Sequence, residues 1–491
     1  MKPIQIRRQM TFLPDSARVI IRPFISGNQQ LVKNIIARAL ALSEEAVEHE
    51  LEAVQADFAS RHYDIVLLLA AHYEKVLPHI EAPRSLSVAR QLLIGALFSG
   101  EYALESAALF NPSIVPHPDQ SGVTEGSLRF ILSLRATGEG HISSIEFRTG
   151  IVAADGRISV EPVSPFVTIP DVVPNPTYDK KNFITKLHEM GFVNGHTTQV
   201  MAPLGDTFTL TELHRSMARV HQTVAVATHD FKRTLECMRW LAESNYELRF
   251  LPKLTMSERI IFPVSPNESN GIEDARFVRF IEADGSVLYY ATYTAYNGRD
   301  ILPQFIETRD FLSFRIVTLN GTGVQNKGMA LFPRRIHGRF AMLSRQDDEN
   351  LFIMFSDNIH RWNERILLHA PREVWEMVKI GNCGSPIETE AGWLVITHGV
   401  GAMRKYCIGA LLLDINDPTV VLGSLREPLL KPEGNEREGY VPNVVYSCGS
   451  LIHARQLILS YAMSDKASVI ASVSLDEILA ALAANPVSRR G

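Results

Sequence analysis

The segment SVLYYATYTAY, residues 286–296, is an apolar run rich in aromatic and β-branched residues, as expected of a buried β-strand. Similar runs begin near Phe130, Phe340, Trp393 and Leu457, and each ends in a polar or charged residue. The starts at Val287, Phe340, Trp393 and Leu457 lie 53, 53 and 64 residues apart. A repeat of this length is typical of a multi-stranded propeller blade. Five such units predict a mainly β protein built as a five-bladed β-propeller. A β-sandwich with long loops is the alternative.

Sequence texture divides the chain into three parts. Residues 1–108 are rich in helix formers with apolar residues spaced at three and four, which predicts an N-terminal helical extension. Residues 109–474 contain the short β-rich runs and are the predicted propeller, with an inserted helical segment at about 170–254. Residues 475–491 begin with LDEILAALAA and are predicted to form a C-terminal helix and tail.

Composition excludes several classes of protein. Hydrophobic residues make up 46% and charged residues 21%, which is typical of a globular chain, and the formal net charge is −5. A chain without a basic excess is not expected to bind nucleic acid or an anionic membrane. Four cysteines without a CxxC pair, together with the absence of a secretory signal at the N-terminus, predict a cytoplasmic location. No apolar run approaches the length of a membrane helix.

The ends of the repeated strands supply a set of polar side chains. If the aligned strands are the innermost strands of the blades, their ends place five residues around one mouth of the channel, namely Arg135, Tyr293, Arg345, His398 and Asp465. Any one of these has an ordinary structural explanation, such as a surface ion pair or a turn cap. Their recurrence at equivalent points favours one concave site.

Two motifs resemble a known family. GIEDAR at residues 271–276 and YYATYTAYNG at residues 289–298 are similar to the GxEDPR and TYTAYDG signatures of glycoside hydrolase family 130, with Ala275 at the usual proline. Members of that family are five-bladed β-propellers that act on β-mannosides. The resemblance implies an inverting phosphorylase that uses inorganic phosphate as co-substrate, with no cofactor and no metal, and releases α-mannose 1-phosphate.

The same resemblance assigns the proton donor to Asp274. An adjacent carboxylate, Glu273, is expected to raise the pKa of Asp274 by like charge, which suits a general acid. The resemblance also implies that the proton reaches the leaving group through the 3-hydroxyl of the substrate.

Further motifs resemble the phosphate site of the family. KGMALFP at residues 327–333 and GRFAMLSR at residues 338–345 contain Lys327 and Arg345, while GWLVITHGV at 392–400 and YCIGALLLD at 406–414 contain His398 and Tyr406. Family members that hydrolyse with water have lost much of this set. Retention of all four residues therefore predicts phosphate binding, since a lysine and an arginine form a local anion site.

Three more residues match the sugar pocket of the family. Asn111 lies in FNP at residues 110–112, Arg135 in LSLRA at 132–136 and Asp465 in LSYAMSD at 459–465. Amide, guanidinium and carboxylate groups suit the many hydroxyls of a hexose.

Other functions stay open at this stage. A β-mannosidase that uses water would need a carboxylate base, for which Glu273 and Asp465 are the candidates, and a non-catalytic sugar-binding propeller would need only the pocket. Overall similarity favours β-1,2-linked mannobiose or oligomannan over β-1,4-mannosyl-glucose and mannosyl-N-acetylglucosamine. The apolar face of the helical extension suits a neighbouring subunit, which makes a homo-oligomer a candidate assembly.

Overall fold

A computed structural model describes residues 4–80, 85–173, 176–223, 228–299 and 301–487, so part of the predicted tail lies outside the described residues. In these ranges the chain is mainly β. The N-terminal part contains three strands and four helices: β1 (Ile6–Phe12), β2 (Val19–Pro23), α1 (Gln29–Ala41), α2 (Glu44–Phe58), α3 (Ile65–Val76), α4 (Val88–Leu97) and β3 (Ser99–Ala103). Each of these helices begins after a side chain that accepts a backbone N–H, the caps being Asn28, Ser43, Asp64 and Ser87.

The predicted helical insertion contains four helices flanked by short strands. The elements from the first sheet through this insertion are β4 (Ala108–Pro116), β5 (Leu128–Thr137), β6 (Ser143–Val152), β7 (Ile158–Val160), β8 (Asp171–Val173), β9 (Thr177–Asp179), α5 (Lys180–Glu189), α6 (Gly195–Met201), β10 (Thr207–Thr209), α7 (Leu210–Thr223), α8 (His229–Glu243) and β11 (Tyr246–Arg249). Helices α5 to α8 enclose an apolar core of their own around Phe183, Leu213 and Phe231.

The rest of the described chain consists of strands that alternate with loops and short 3₁₀ segments, and a helix follows the last strand. Its elements are β12 (Ile260–Ile261), β13 (Gly271–Ile281), β14 (Val287–Tyr296), β15 (Ile301–Thr308), β16 (Ser313–Thr318), β17 (Ala330–Leu331), β18 (Phe340–Ser344), β19 (Leu351–Ser356), β20 (Ile366–His369), β21 (Lys379–Asn382), β22 (Ile387–Thr389), β23 (Gly392–Val400), β24 (Tyr406–Leu413), β25 (Val421–Ser424), β26 (Val445–Tyr446), β27 (Ser450–His453), β28 (Gln456–Met463), β29 (Ala467–Ser474) and α9 (Leu475–Ala483).

These strands form five antiparallel sheets of four to six strands and two short ribbons. The first sheet contains β4, β5, β6, β7 and β12; the second contains β8, β11 and β13 to β16. The third contains β17 to β20, the fourth β21 to β25, and the fifth β1 and β26 to β29. Strand β1 pairs with β29 from Ile6–Val473 to Phe12–Ser468, so the start of the predicted extension belongs to the last sheet.

Apolar clusters join the sheets in a closed order. Each cluster contains residues of two neighbouring sheets. Phe147 and Phe277 share the cluster between the first and second sheets, Phe280 and Phe340 that between the second and third, and Phe332 and Trp393 that between the third and fourth. Ile408 and Tyr461 share the cluster between the fourth and fifth sheets, and Leu132 and Ile458 that between the first and fifth. Burial of these faces is the main stabilising contribution to such a layered β structure. In the described part of the chain, no helix has both the length and the apolar character that crossing a membrane requires.

A buried charge network ties the N-terminal part to the first sheet. The guanidinium of Arg18 lies 2.8 Å from a Glu105 oxygen and 2.9 Å from a Glu146 oxygen. Arg148 bonds the same two carboxylates at 2.6 and 3.0 Å, and all four side chains are at most 3% exposed. Buried ions of this kind persist only when every charge is paired, so this junction is rigid.

Candidate active site

Two neighbouring β-bulges build the centre of the site. The register of β4 shifts between Phe110 and Ser113, and that of β13 shifts between Glu273 and Arg276. The bulged residues Asn111 and Asp274 have φ of 47° and 54°, and the Asn111 amide donates to a carboxylate oxygen of Asp274. A bulge re-aims one side chain and leaves its residue outside the ladder, so these two side chains turn toward each other.

Arg135 and Lys327 surround the two adjacent carboxylates. One Arg135 nitrogen lies 2.8 Å from Glu273 Oε1, and the other lies 3.5 Å from Asp274 Oδ1. Lys327 Nζ lies 3.5 Å from Glu273 Oε2, so Glu273 bridges both cations. The Arg135 guanidinium also packs over the Phe110 ring at 4.9 Å.

The expectation of a raised pKa for Asp274 is wrong. Burial raises the pKa of Asp274, but the positive charges of Lys327, Arg135 and Arg276 and the Asn111 hydrogen bond together hold it below its ordinary value. The like charge of its sequence neighbour Glu273 is therefore outweighed by Arg135 from β5, Lys327 from the loop before β17 and Arg276 from β13 itself.

Asp465 is a carboxyl group of this site whose pKa is raised. It follows β28 with a φ of 51°, directly after Ser464 at 46°. Burial, and then the charge of Asp274, raise the pKa of Asp465 to about 6, against the opposing charges of Arg135 and Arg404. The structure thus brings Asn111, Arg135 and Asp465, the residues predicted for the sugar pocket, into one group with Asp274.

Two guanidinium groups converge beside Gly328. A Cβ atom built on Gly328, whose φ is 89°, would lie 3.8 Å from both Arg276 Nη2 and Arg345 Nη2. The Gly328 carbonyl accepts from the Asn382 amide at 2.6 Å, which fixes this loop next to Lys327. Gly328 thus leaves an open cradle between two arginines and a lysine, which suits a tetrahedral anion.

Arg276 is a site residue that the sequence analysis missed. Its side chain is buried, its Nη1 donates to the Asp274 carbonyl at 3.2 Å and its Nη2 to the Tyr446 hydroxyl at 2.5 Å. Its Nε has no hydrogen-bond partner among the described residues. The residue does lie in the quoted GIEDAR motif, but nothing in that motif indicates that its guanidinium meets Arg345.

His398 lies behind Arg345. Its Nε2 is 2.8 Å from Arg345 Nη1, and its Nδ1 is 3.1 Å from the Asn382 carbonyl oxygen. A guanidinium only donates and a carbonyl only accepts, so we assign the proton to Nδ1 and the acceptor role to Nε2. Burial, followed by the charges of Arg345 and Arg276, holds the pKa of His398 well below its ordinary value, which keeps the ring neutral.

Tyr406 and Tyr446 complete this side of the site. The Tyr406 ring stacks on His398 with centroids 6.0 Å apart, and the Tyr446 ring lies 4.9 Å from the same imidazole. Tyr293, the remaining residue of the predicted ring, instead donates its hydroxyl to Glu268 at 2.5 Å, beside Tyr246. Its hydroxyl is therefore engaged by Glu268, in the segment before β13, and the described residues show no bond from it to Glu273, Asp274 or Asp465.

A cavity of about 240 Å³ opens next to the carboxylates. Its lining consists of Ala107, Ala108, Phe110, Arg135, Thr137, His141, Asn270, Glu273, Tyr296, Tyr440 and Asp465. Within the residues that the structure describes, no group of three or more His, Cys, Asp and Glu side chains is arranged to hold a metal ion.

Comparisons with known proteins show the family to which the chain belongs. The structure of a beta-1,2-mannobiose phosphorylase from Listeria innocua, in complex with beta-1,2-mannobiose, aligns with a TM-score of 0.46 and 20% identity, covering 77% of this chain and 93% of that one. The curated beta-1,2-mannobiose phosphorylase of Listeria innocua is 28% identical over 233 residues, or 46% of this chain and 64% of that protein. The 1,2-beta-oligomannan phosphorylase of Thermoanaerobacter sp. (strain X514) is 34% identical over 232 residues, or 45% of this chain and 75% of that protein. Residues 249–484 match the glycoside hydrolase family 130 model, described as beta-1,4-mannooligosaccharide phosphorylase. The chain therefore belongs to glycoside hydrolase family 130.

Proposed function

We propose that this protein is an inverting phosphorylase that cleaves β-mannosides with inorganic phosphate to give α-mannose 1-phosphate and a shortened acceptor. The observation that carries the proposal is the open cradle at Gly328, where Lys327, Arg276 and Arg345 converge within reach of Asp274. Hydrolysis with water would not need such a cluster of cations, whereas phosphate needs both the charge and the paired donors of arginine.

The five sheets are proposed to be the five blades of a β-propeller. The closed order of apolar clusters supports this arrangement, as does the return of β1 to the fifth sheet. The proposed catalytic domain is then residues 109–474 together with β1. The helices of residues 1–108 and about 170–254 lie outside the blades, and residues 475–491 are proposed as a C-terminal helix, α9 (Leu475–Ala483), and tail. The cytoplasmic location stays a proposal, supported by four cysteines that are all buried with free thiols.

The proposed reaction is a single displacement at the anomeric carbon. A phosphate oxygen forms the new C1–O bond on one face while the glycosidic C1–O bond breaks on the other, and the departing oxygen takes the proton of Asp274. That proton passes directly or through the 3-hydroxyl of the sugar. Asn111, Arg135 and Asp465 hold the hydroxyls of the mannose being transferred, while His398 orients Arg345 from behind.

Phosphate binding also explains how Asp274, whose pKa is lowered in the ligand-free protein, can hold the proton that a general acid needs. Lys327, Arg135 and Arg276 depress its pKa when no anion is bound. A phosphate next to Lys327 and Arg276 contributes nearly two negative charges, which offset these cations and raise the pKa of Asp274. Phosphate then serves as the nucleophile, and its negative charge also keeps Asp274 protonated.

Hydrolysis by water is the second candidate function. It requires a carboxylate base, and Glu273 is engaged by Arg135 and Lys327 at 2.8 and 3.5 Å. Asp465, with a pKa of about 6, is the remaining candidate for that role. A non-catalytic sugar-binding role would leave the buried cations at Gly328 without a purpose.

The test is to incubate the protein with β-1,2-mannobiose, with and without inorganic phosphate, and to analyse the products by anion-exchange chromatography and ³¹P NMR. We expect cleavage that depends on phosphate and yields α-mannose 1-phosphate. Equal cleavage in phosphate-free buffer, with free mannose as the only product, would establish hydrolysis instead. Parallel assays with β-1,4-mannobiose and β-1,4-mannosyl-glucose fix the linkage, for which we propose β-1,2.

A further inference from the structure

An aromatic pair stands on the rim of the cavity. The rings of His141 and Tyr440 have centroids 5.2 Å apart at an interplanar angle of 34°. Tyr440 is 72% exposed, although both residues line the cavity that holds Arg135 and Asp465. His141 comes from the loop between β5 and β6, and Tyr440 from the segment before β26, so the pair joins the first and fifth sheets at the site.

Both loops are held in place by specific contacts. The Tyr102 hydroxyl lies 3.1 Å from the Glu139 carbonyl and 2.9 Å from the Ile142 carbonyl, and His141 adopts a φ of 59°. On the other side, the Val441 N–H donates to the Ser464 carbonyl at 3.2 Å, which ties Tyr440 to the turn that carries Asp465. An exposed aromatic side chain on an ordered support is typical of a surface that binds a ligand.

The cavity and the cradle are lined by different side chains. Glu273 bonds Arg135 through one oxygen and Lys327 through the other, so it stands between them. Arg135 lines the cavity, whereas Lys327, Arg276 and Arg345 do not. In an inverting displacement the nucleophile and the leaving group occupy opposite faces of the anomeric carbon. With phosphate at the cradle, the leaving sugar faces the aromatic rim.

We propose that His141 and Tyr440 form the platform on which the acceptor sugar of the β-mannoside stacks, and that Tyr440 thereby determines acceptor specificity. This inference rests on the proposed function, because it takes the phosphate side of the site from it. A pyranose presents an apolar C–H face with a polar edge, which matches a flat aromatic surface beside carboxylate and guanidinium groups.

The kinetic test runs the reaction in the synthetic direction, with α-mannose 1-phosphate as donor and mannose or β-1,2-mannobiose as acceptor. We expect Tyr440→Ala and His141→Ala to raise the KM for the acceptor by roughly three- to tenfold, with the KM for α-mannose 1-phosphate within about twofold of the wild type. Tyr440→Phe keeps the ring and should retain most of the acceptor binding that Tyr440→Ala loses. Phe24→Ala removes an equally exposed aromatic ring (77%) from the helical extension and serves as the control.

A binding experiment separates this inference from the proposed function. In the Asp274→Asn background, in which turnover is expected to be roughly 10²- to 10⁴-fold lower, calorimetry compares β-1,2-mannobiose with mannose. We expect the disaccharide to bind more tightly than the monosaccharide, and Tyr440→Ala to abolish that difference. An unchanged difference in Tyr440→Ala, or equal rises in both KM values, would overturn the platform alone. A wild-type protein inactive with phosphate in both directions would overturn the proposed function, while the binding comparison would still decide the platform.

Discussion

Arg345 donates through Nη1 to Nε2 of His398 across 2.8 Å, and both side chains are buried. The imidazole Nδ1 faces the Asn382 carbonyl, so the ring is held from both sides. Because the pKa of His398 lies well below its ordinary value, this contact persists as a neutral acceptor bonded to a cation. His398 therefore acts on phosphate through Arg345, as a positioning residue.

Substitution of His398 tests this assignment. His398→Ala should raise the KM for phosphate by about tenfold with little change in the KM for the mannoside, because Arg345 loses its orienting partner. His398→Gln returns an acceptor oxygen near the Nε2 position and should recover part of the loss. In the wild type, the phosphate KM should show no histidine titration between about pH 5.5 and 8 once the ionisation of phosphate is corrected for. A break in that range, absent from His398→Gln, would mean that the histidine binds phosphate as a cation.

Gly328→Ala tests the cradle. The added methyl group would lie 3.8 Å from both guanidinium groups, where a phosphate oxygen is expected, so the phosphate KM should rise by an order of magnitude or more. Its matched control is Gly338→Ala, because Gly338 also has a positive φ, 77°, but open space around it. Both variants should lose a similar amount of stability, about 1 kcal/mol, from the strained backbone. A normal phosphate KM in Gly328→Ala would place the anion elsewhere.

Asp274→Asn should lower turnover by roughly 10²- to 10⁴-fold while leaving sugar binding largely intact, since it removes the proton and keeps the shape. The pH profile of the wild type carries the sharper expectation. When the phosphate concentration is raised from limiting to saturating, the alkaline limb of the pH profile of the cleavage rate should move to higher pH. The reason is that the bound anion offsets the positive charges that lower the pKa of Asp274. A limb that stays fixed at all phosphate concentrations would contradict this coupling.

Asp465→Asn should stabilise the ligand-free protein at alkaline pH. The folded pKa of about 6 lies above the ordinary value of 3.8, so the folded state binds this proton more tightly than the unfolded state. Stability from this group is therefore present below about pH 4 and is lost as the pH rises to about 6, by up to about 3 kcal/mol. Urea unfolding at about pH 4 and about pH 8 should show a gain for Asp465→Asn only at the higher pH. Asp357→Asn, at a carboxylate that is 88% exposed, should show no such difference.

The sequence predicts the strands and most of the site, because strand patterning and motifs are local. Asn111, Arg135, Asp274 and Asp465 lie in one group, with Asn111 and Asp274 in bulges, Arg135 near the end of β5 and Asp465 just after β28. The pKa direction of Asp274 could not be predicted, since two of the cations that lower it, Lys327 and Arg135, come from other segments of the chain. Arg276 was missed for the same reason: its partner Tyr446 lies on a strand of another sheet.

The pairing of β1 with β29 bears on how the chain acquires its fold during synthesis. Residues 6–12 are synthesised about 460 residues before their partner strand at residues 467–474. At about 5 to 20 residues per second, the first strand waits roughly half a minute to a minute and a half before its partner exists. Its bonding edge stays uncovered throughout that time, and its polar sequence IRRQMTF protects it, since charged residues discourage association of open strand edges. An N-terminal truncation through residue 12 would accordingly leave the finished protein with a permanently open edge on its last sheet.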